Sequence, residues 1–258
     1  MGRFTDKVAI VTGASTGLGP IMSKMLVAEG AKVVMAARRI ELVEKAAAEI
    51  GESTVAIRAD VTQEADVAAM VDVAMSRWGK VDIMINNAAI PGTDKYIWEQ
   101  TLENWNATIA VDVTAAMLCS REVVRRSMMD RKSGAIVNIS SGAGRVPHVR
   151  KGHYSVAKAG LIMLTAVLAR ELAEYGIRAN CVVPGPIGTE LLRNYYNRLA
   201  KEQGITTEAV MANALARVAL KRPCAPEEIA NTALFLASAD ASFITGQSIN
   251  TDGGTNFN

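Results

Sequence analysis

The chain has 258 residues, half of them hydrophobic, and a formal net charge of +2. This composition is typical of a folded globular protein and excludes a disordered chain, while the basic residues are too dispersed for nucleic-acid binding. An apolar run begins at residue 8, which leaves no room for a signal peptide, and charged residues interrupt every apolar segment before it reaches membrane-span length. We therefore expect a cytoplasmic protein with no nucleic-acid or membrane partner.

Short β-branched runs alternate with longer helical patterns along the chain. The short runs predict strands at about 8–12, 32–36, 54–59, 81–86, 135–140, 179–183 and 247–250. Helices are predicted between them at about 18–29, 40–50, 64–77, 99–130, 153–174 and 226–237. Because the strands are nearly all apolar, the alternation indicates an α/β fold, a Rossmann-like doubly wound parallel sheet of about seven strands with helices on both faces. No linker interrupts it, so residues 1–258 are predicted to form a single domain.

The first strand leads into a glycine-rich turn with the spacing Gly-x-x-x-Gly-x-Gly, formed by Gly13, Gly17 and Gly19. Glycines at a strand-to-helix turn let the backbone approach a pyrophosphate, and the helix that follows offers free N–H groups and the positive end of its dipole. The turn follows a strand and opens a helix, which is the context that supports dinucleotide binding. The alternative is a tight turn that only packs the helix onto the sheet.

The end of the second strand bears on which nicotinamide cofactor is bound. An acidic residue there would bind the ribose 2′-hydroxyl of NAD(H), whereas an arginine would accept the 2′-phosphate of NADP(H). Ala37 stands at that position and Arg38 follows it, so NADP(H) is the predicted cofactor and NAD(H) the alternative. The other interpretation is that Arg38 and Arg39 are merely solvated.

The third and fourth strands end in residues that suit the same cofactor. Asp60 and Val61 follow the third strand, where a carboxylate can accept a hydrogen bond from an adenine amino group. Asn87 and Ala88 follow the fourth. Asparagines at a strand end often only form turns, but ligands of open α/β folds bind at the carboxyl edge of the sheet.

A Tyr-x-x-x-Lys pair, Tyr154 and Lys158, begins a long apolar helical pattern. Residues four apart share one face of a helix, so both side chains would reach the same space. A nearby cation favours a phenolate over a phenol, which suits a tyrosine to proton exchange near neutral pH. Ser141 follows the fifth strand, and the loop after it is long enough to return its hydroxyl to the phenol. Taken alone, such a pair also occurs by chance in buried helices.

No metal site is predicted. The cysteines Cys119, Cys181 and Cys224 are far apart, lack metal-ligand spacing and are expected to be reduced. His148 and His153 have no ligand-spaced partners and are predicted to lie in a loop.

Taken together, these motifs resemble those of the short-chain dehydrogenase/reductase family, over nearly the whole chain. They run from the glycine turn and Asn-Asn-Ala at 86–88, through Ser141 and Tyr-x-x-x-Lys, to Pro-Gly-Pro-Ile-Gly-Thr at 184–189 and Asp-Gly-Gly at 252–254. Each motif is weak alone, but their order and spacing are specific. The resemblance implies an NAD(P)(H)-dependent alcohol dehydrogenase or carbonyl reductase that interconverts a secondary alcohol and a ketone or aldehyde by hydride transfer.

The resemblance also implies roles for individual residues. Tyr154 would be the general acid/base, Ser141 would polarise the carbonyl, and Lys158 would hold the nicotinamide ribose. Cofactor-binding residues would be Gly13, Ser15, Thr16, Gly17, Leu18, Gly19, Arg38, Asp60, Val61, Asn87, Ala88, Tyr154, Lys158, Pro184, Gly185, Ile187 and Thr189. Members of the family usually assemble through their long helices, so a homotetramer or homodimer is expected.

Two residues depart from the family pattern. An asparagine in the long fourth helix usually supports a water relay to the lysine, and Asp112 stands there in this chain. Its carboxylate can accept from the same water and favour a charged Lys158, which would preserve the relay with an altered pH dependence and makes Asp112 a candidate catalytic residue. Alternatively, the backbone carbonyl at this position supports the water relay, and the Asp112 side chain is incidental. Ala89 replaces a usual glycine, which should affect packing more than chemistry.

The sequence says least about the substrate. The loop at 142–153 carries Arg145, Arg150, Lys151 and two histidines, which favours an anionic or acyl-type substrate unless these charges face solvent. Residues 190–221 are predicted to form a mobile helix pair that covers the substrate. Alternatively, the apolar side chains of this segment serve only ordinary packing. The chain resembles bacterial 3-oxoacyl carrier-protein reductases in organisation, but lacks their Gly-Asn-x-Gly-Gln loop. A non-redox epimerase or lyase, or a nicotinamide-sensing module, is the alternative on this fold.

Overall fold

The computed structural model describes residues 2–257, apart from the side chain of Leu191. Within this range seven strands form one parallel sheet in the order β3-β2-β1-β4-β5-β6-β7, which confirms the predicted doubly wound fold. In chain order the strands are β1 Val8–Thr12, β2 Lys32–Ala37, β3 Thr54–Arg58, β4 Ile83–Asn86, β5 Gly134–Ile139, β6 Ile177–Pro184 and β7 Ser248–Thr251.

The helices agree with the predicted periodicity to within a few residues. They are α1 Leu18–Ala28, α2 Ile40–Ile50, α3 Glu64–Trp78, α4 Leu102–Ile109, α5 Ala115–Val123, α6 Met129–Arg131, α7 Gly152–Leu172, α8 Glu190–Gln203, α9 Thr207–Leu215 and α10 Pro226–Ala237. The predicted helix at 99–130 is the succession of α4, α5 and α6, joined by π-helical turns at Ala110–Thr114 and Val124–Met128. It begins at Leu102 because the Thr101 hydroxyl caps it, accepting from the Asn104 N–H at 3.2 Å.

Alternating side chains of the strands supply two separate cores, one on each face of the sheet. In β1, Ala9 and Val11 belong to the core on one face, beneath α1, α2 and α10. Val8 and Ile10 belong to the core on the other face, beneath α3, α5 and α7. This burial on both faces explains why the strands read as continuous apolar runs.

The strand order reverses between β1 and β4, which are neighbours in the sheet although two strands separate them in the chain. In open α/β sheets a crevice forms at this point, outside the carboxyl ends of the strands. The glycine turn after β1 and Asn87 after β4 border it.

Residues 190–221 contain the helix pair α8 and α9. Their apolar side chains form a third small cluster, in which Tyr196, Ala200 and Val210 are buried and Leu192, Leu199 and Met211 are partly buried. Across residues 2–257, no helix combines the length and the apolar character needed to cross a membrane.

Candidate active site

Hydrogen bonds join the carboxyl ends of β1 and β4 around the glycine turn. The Thr12 hydroxyl accepts from the backbone N–H of Asn87 at 3.0 Å and from that of Ala88 at 3.2 Å. The Asn87 side-chain amide donates to the carbonyl oxygens of Thr12 at 2.9 Å and of Gly13 at 3.3 Å. Thr12 and Asn87 therefore hold the two sides of the crevice in a fixed relation.

The glycines of the turn serve two purposes. Gly13 has a φ of +66°, and a Cβ there would lie 2.9 Å from Ala88 Cα, while a Cβ on Gly19 would lie 2.4 Å from the Gly13 carbonyl oxygen. Glycine at these two positions lets α1 lie close to the strands, as expected for a tight turn that packs the helix onto the sheet. Gly17 also has a positive φ, but among the described residues 2–257 nothing lies within 4 Å of its Cβ position, and it gives α1 no side-chain cap. Open space therefore lies beside the first turn of α1, which begins at Leu18, as an anion site at a helix N-terminus requires.

Arg39 reaches the glycine turn, whereas the sequence pointed to Arg38. One Nη atom of Arg39 donates to the hydroxyls of Ser15 at 3.1 Å and Thr16 at 3.0 Å. Arg38 is exposed at the end of β2. The sequence contained both arginines, but the direction of each side chain depends on where α2 starts, and Arg39 is the residue just before that helix.

Asp60, after β3, carries a hydrogen-bonded carboxylate. One carboxylate oxygen accepts from the backbone N–H of Thr62 at 3.0 Å and from its hydroxyl at 2.7 Å. Burial opposes ionisation of Asp60, but these two bonds and the charges of Arg38 and Arg58 outweigh it, so the pKa of Asp60 lies below its usual value. Asp60 is therefore an acceptor at neutral pH.

The end of β5 packs directly on the first turns of α7. Ser141 begins a 3₁₀ turn, and its hydroxyl oxygen accepts from the Ala143 N–H at 3.2 Å. The neighbouring Ser140 hydroxyl donates to the Lys158 carbonyl at 2.9 Å, and a Cβ on Gly144 would lie only 2.7 Å from the Lys158 carbonyl carbon. The loop after Ser141 thus returns to the helix that bears Tyr154 and Lys158.

Lys158 links the tyrosine to a buried carboxylate. Its Nζ lies 5.5 Å from the centroid of the Tyr154 ring, donates to the Ile139 carbonyl at 3.2 Å and forms an ion pair with Asp112 Oδ2 at 3.1 Å. Burial opposes the charge on Lys158, but attraction to Asp112 and then to Tyr154 outweighs it, so the pKa of Lys158 lies above its ordinary value. The side chain is therefore an ammonium at neutral pH.

A π-helical turn presents the Asp112 carboxylate to Lys158. Single π turns inside α-helices often occur at functional sites. The second oxygen, Oδ1, accepts from the Ile90 N–H at 2.9 Å, which also fixes the loop after β4. Asp112, Val61 and Ala88 line a cavity of about 10 Å³, near the smallest size that holds one water.

The segment after β6 leads from the carboxyl edge of the sheet to α8. Pro184 is the last residue of β6, and a Cβ on Gly185 would lie 2.8 Å from Asp252 Cα in the Asp-Gly-Gly motif. Ile187 forms a parallel bridge with Cys224, and the Thr189 hydroxyl caps α8. The predicted cofactor segment is therefore extended between the sheet edge and α8.

The loop at 142–153 differs from the prediction in two respects. His153 lies inside α7, not in a loop, and is fully buried, with Nδ1 2.9 Å from the Gln100 amide and Nε2 3.1 Å from the Pro91 carbonyl. Hydrogen-bond partners far away in sequence account for this burial. Two of the loop cations are ion-paired, Lys151 with Asp94 and Arg150 with Glu202.

A parallel sheet whose switch point carries a glycine turn and an uncapped helix N-terminus defines a dinucleotide-binding α/β protein. A family model described as Enoyl-(Acyl carrier protein) reductase matches residues 13–256. The chain belongs to this family, the short-chain dehydrogenase/reductases, which are oxidoreductases that use NAD(P)(H).

Relatives match the chain over almost its full length. It is 36% identical over 259 residues to a 3-oxoacyl-[acyl-carrier-protein] reductase of Synechocystis sp., covering 98% of each chain. It is also 36% identical over 253 residues to a cis-4-hydroxycyclohexanecarboxylate dehydrogenase of Sinomonas cyclohexanicum, covering 97% of each. The crystal structure of a levodione reductase superposes with a TM-score of 0.91 at 31% identity, over 97% of this chain and 98% of that one.

Proposed function

We propose that this protein is an NADP(H)-preferring oxidoreductase that interconverts a secondary alcohol and a ketone or aldehyde, with Tyr154 as general acid/base. The observation that carries the proposal is the convergence of the Tyr154 ring, the Lys158 ammonium and the Asp112 carboxylate on the helix turn against which the Ser141 loop packs. This is the set of groups that proton transfer to a carbonyl oxygen needs, held at the carboxyl edge of a dinucleotide-binding sheet.

The crevice fits the cofactor. The open space at Gly17 and the first turn of α1 suit the pyrophosphate, and the Asp60 carboxylate suits the adenine amino group. Lys158 would hold the nicotinamide ribose, and the segment from Pro184 to Thr189 would lie along the nicotinamide amide. Asn87 and Ala88 at the end of β4 would supply further contacts to the cofactor. When bound, the cofactor supplies the hydride.

The preference for NADP(H) rests on the arginines after β2. Arg39 donates to the hydroxyls of Ser15 and Thr16, and Arg38 is exposed beside it. Two guanidinium groups and two hydroxyls at the end of β2 and in the glycine turn would therefore be available to bind a 2′-phosphate. Charge-assisted, bidentate contacts of this kind are among the strongest hydrogen bonds that proteins form to phosphate.

In the reducing direction, the hydroxyls of Ser141 and Tyr154 donate hydrogen bonds to the carbonyl oxygen. The Ser141 hydroxyl oxygen accepts from the Ala143 N–H at 3.2 Å, and its own proton would be the one donated to the carbonyl oxygen. Tyr154 then transfers its proton to the oxygen as negative charge develops there. The adjacent Lys158 ammonium stabilises the phenolate that remains. In the reverse direction Tyr154 accepts the proton of the alcohol.

The Asp112 side chain takes part in this arrangement. Its contact with Lys158 at 3.1 Å, and the water-sized cavity beside it, favour a role in keeping Lys158 charged and in proton relay over an incidental side chain. An enzyme with this carboxylate should hold Lys158 as an ammonium over a wider pH range than one with an asparagine.

The cofactor preference is tested by titrating the purified protein with NADPH and NADH, following nucleotide fluorescence. We expect tighter NADPH binding in the wild type, and a loss of roughly 10–100-fold in NADPH affinity for Arg39→Ala, the range for charge-assisted hydrogen bonds. Arg38→Ala, tested alongside, shows which arginine contributes more. Arg77→Ala, at the exposed end of α3, is the matched control and should change neither affinity. Equal or tighter NADH binding would contradict the preference.

The reaction is tested by cofactor turnover with carbonyl compounds. The relatives named above make cyclic ketones, ketones that carry a carboxylate, and 3-oxoacyl thioesters the first compounds to assay. The ion pairs of Arg150 and Lys151 count against an anionic substrate, so carboxylate-bearing and neutral ketones should be compared directly. Tight NADPH binding without turnover of any of these compounds would favour the sensing or non-redox alternatives.

We further propose a cytoplasmic homotetramer or homodimer. Val156, Met163 and Val167 are exposed along one side of α7, as expected for a helix that packs against a second copy. Light scattering of the wild type and of Met163→Glu tests the assembly, since a buried charge at the interface should dissociate it.

Cys119 and Cys181 are buried thiols, and burial raises their pKa to about 12 and about 11, so both are unreactive.

A further inference from the structure

The helix pair α8–α9 packs as a small unit of its own. Its apolar side chains, including Tyr196, Leu199 and Val210, pack on each other in a cluster distinct from the two cores of the sheet. Burial of this kind keeps the two helices together whether or not they rest on the rest of the protein. What holds the pair in place must therefore be sought in the other contacts of α8.

Those contacts are charged and aromatic, and they lie along one side of α8. Tyr195, Arg198 and Glu202 are three, four and seven residues apart, so they share one face of the helix. Arg198 forms an ion pair with Asp94, and Glu202 forms one with Arg150 at 3.0 Å. Polar contacts thus bind this face of α8 to the loops after β4 and before α7. The other face of α8 makes the apolar contacts within the α8–α9 cluster.

Asp94 is the junction of these contacts. Its Oδ1 lies 3.4 Å from Lys151 Nζ, and its Oδ2 is paired with Arg198. One carboxylate therefore neutralises two cations, one on the loop before α7 and one on α8. The loops themselves are joined by backbone, since the Lys95 N–H donates to the Arg150 carbonyl at 2.9 Å.

Lys151 connects this junction to the reaction. Its ammonium lies 4.5 Å from the ring centroid of Tyr195 on α8 and 5.9 Å from that of Tyr154, and Arg198 lies over the same Tyr195 ring at 5.4 Å. Cations over aromatic faces are attracted to them, and more strongly when partly desolvated, as Lys151 is. The position of α8 is therefore coupled, through one side chain, to the surroundings of the catalytic tyrosine.

We propose that Asp94 and Lys151 are positioning residues that form an ionic latch, which holds α8–α9 closed over Tyr154 in the free protein and continues to do so when substrate is bound. The inference rests on the proposed function for its kinetic consequences, but the closure itself is a property of the free protein. Opening requires the ion pairs of Asp94, whose side chain is 10% exposed, and the more exposed pair of Glu202 to break, with no loss of either core. Salt weakens such pairs, so closure decreases as ionic strength rises.

The closure is tested by hydrogen exchange of backbone amides at residues 192–215, at about 0.05 M and about 0.5 M NaCl. Asp94→Asn keeps the shape of the side chain and removes both ion pairs, and should raise exchange there about three- to tenfold at low salt. High salt should raise exchange in the wild type and change Asp94→Asn little. Glu64→Gln, which removes an exposed ion pair between α3 and α5, is the matched control and should leave 192–215 unchanged.

Unchanged exchange at 192–215 in Asp94→Asn would overturn the latch. So would faster exchange in β1, β4 and β5 as well, because Asp94 would then serve the stability of the whole fold. If the wild type turns over no carbonyl compound, the proposed function fails, while the exchange experiment still decides the latch.

Kinetics with a carbonyl substrate separate positioning from general damage. Asp94→Asn and Lys151→Met should raise KM about three- to tenfold, reduce kcat less, and lose the salt dependence of KM that the wild type shows. Lys151→Arg keeps the charge and should restore most of the lost affinity. Equal failure of Lys151→Arg and Lys151→Met would exclude an ionic role, and a fall in kcat with unchanged KM would exclude a role in closure.

Discussion

Two ion-paired lysines approach the Tyr154 ring, and they differ in how they are held. Lys158 lies 5.5 Å away with a side chain that is 2% exposed, and its partner Asp112 is fully buried. Lys151 lies 5.9 Å away with a side chain that is 14% exposed, and its partner Asp94, which is 10% exposed, is shared with the half-exposed Arg198.

This contrast in burial predicts which part of the candidate site is held more firmly. A buried ion pair is costly to break, because the remaining charge keeps no partner and no water, whereas a partly exposed pair can exchange its partner for water. On the proposed function the Lys158 region would therefore hold the reacting groups in one geometry, and on the proposed latch the Lys151 region would open and close for substrate. The proposed chemistry and the proposed gating are assigned to different kinds of contact.

Loss of the tyrosine hydroxyl should have the largest effect. Tyr154→Phe removes the proposed proton donor and should lower kcat/KM by about 10²–10⁴, as for other general acids and bases, with cofactor affinity nearly unchanged. Ser141→Ala should lower kcat/KM by about 10²–10³, because one donor to the developing oxyanion is lost. Steady-state kinetics and nucleotide titration check both variants. Retention of most activity in Tyr154→Phe would remove Tyr154 from the mechanism.

The buried pair should dominate the stability of the site. Asp112→Ala leaves Lys158 without its carboxylate and should lower the free energy of unfolding by about 3–5 kcal/mol, measured by urea denaturation. Asp112→Asn keeps shape and an acceptor, so its loss should be smaller. A loss below about 1 kcal/mol for Asp112→Ala, within the range of exposed pairs, would contradict the contrast between the two lysines.

The same pair predicts a dependence of stability on alkaline pH. The pKa of Lys158 is raised in the folded protein, so the pair contributes its full stability below the ordinary lysine pKa of 10.5 and loses it as pH rises through the folded value. The wild type should therefore exceed Asp112→Asn in unfolding free energy at pH 8, and this difference should shrink above pH 10.5. A difference that stays constant into that range would show that the pair is not the cause.

The smallest effect is expected at the outermost contact. Glu202→Gln removes the exposed pair with Arg150 and should leave the midpoint of urea unfolding unchanged, because both partners stay hydrated without each other. Hydrogen exchange at 192–215 should still rise slightly, in the same direction as for Asp94→Asn. A measurable loss of global stability would place α8 in the cooperative core and erase the distinction between the two regions.

Local patterns predicted the elements of the fold well. Helices α2 and α10 and strand β1 lie where the periodicity placed them, because their apolar spacing and their boundaries are local properties. The predicted helix at 99–130 contains two π-helical turns that no residue pattern indicated. His153 was wrongly placed in a loop, since its burial depends on hydrogen bonds to Gln100 and to the Pro91 carbonyl.

Residues close together in the chain were enough to predict the succession of strands and helices along it, the glycine turn and the spacing that places Tyr154 and Lys158 on one helix face. Three contacts became known from the fold alone: Arg39 reaches the glycine turn, Lys158 pairs with Asp112, and Lys151 and Arg198 share a carboxylate. Each joins residues from distant parts of the chain, because a hydrogen bond or an ion pair depends on distance in space. The carboxylate at Asp94 gave no signal in the sequence, because loop acids have no periodicity and its partners come from two other segments.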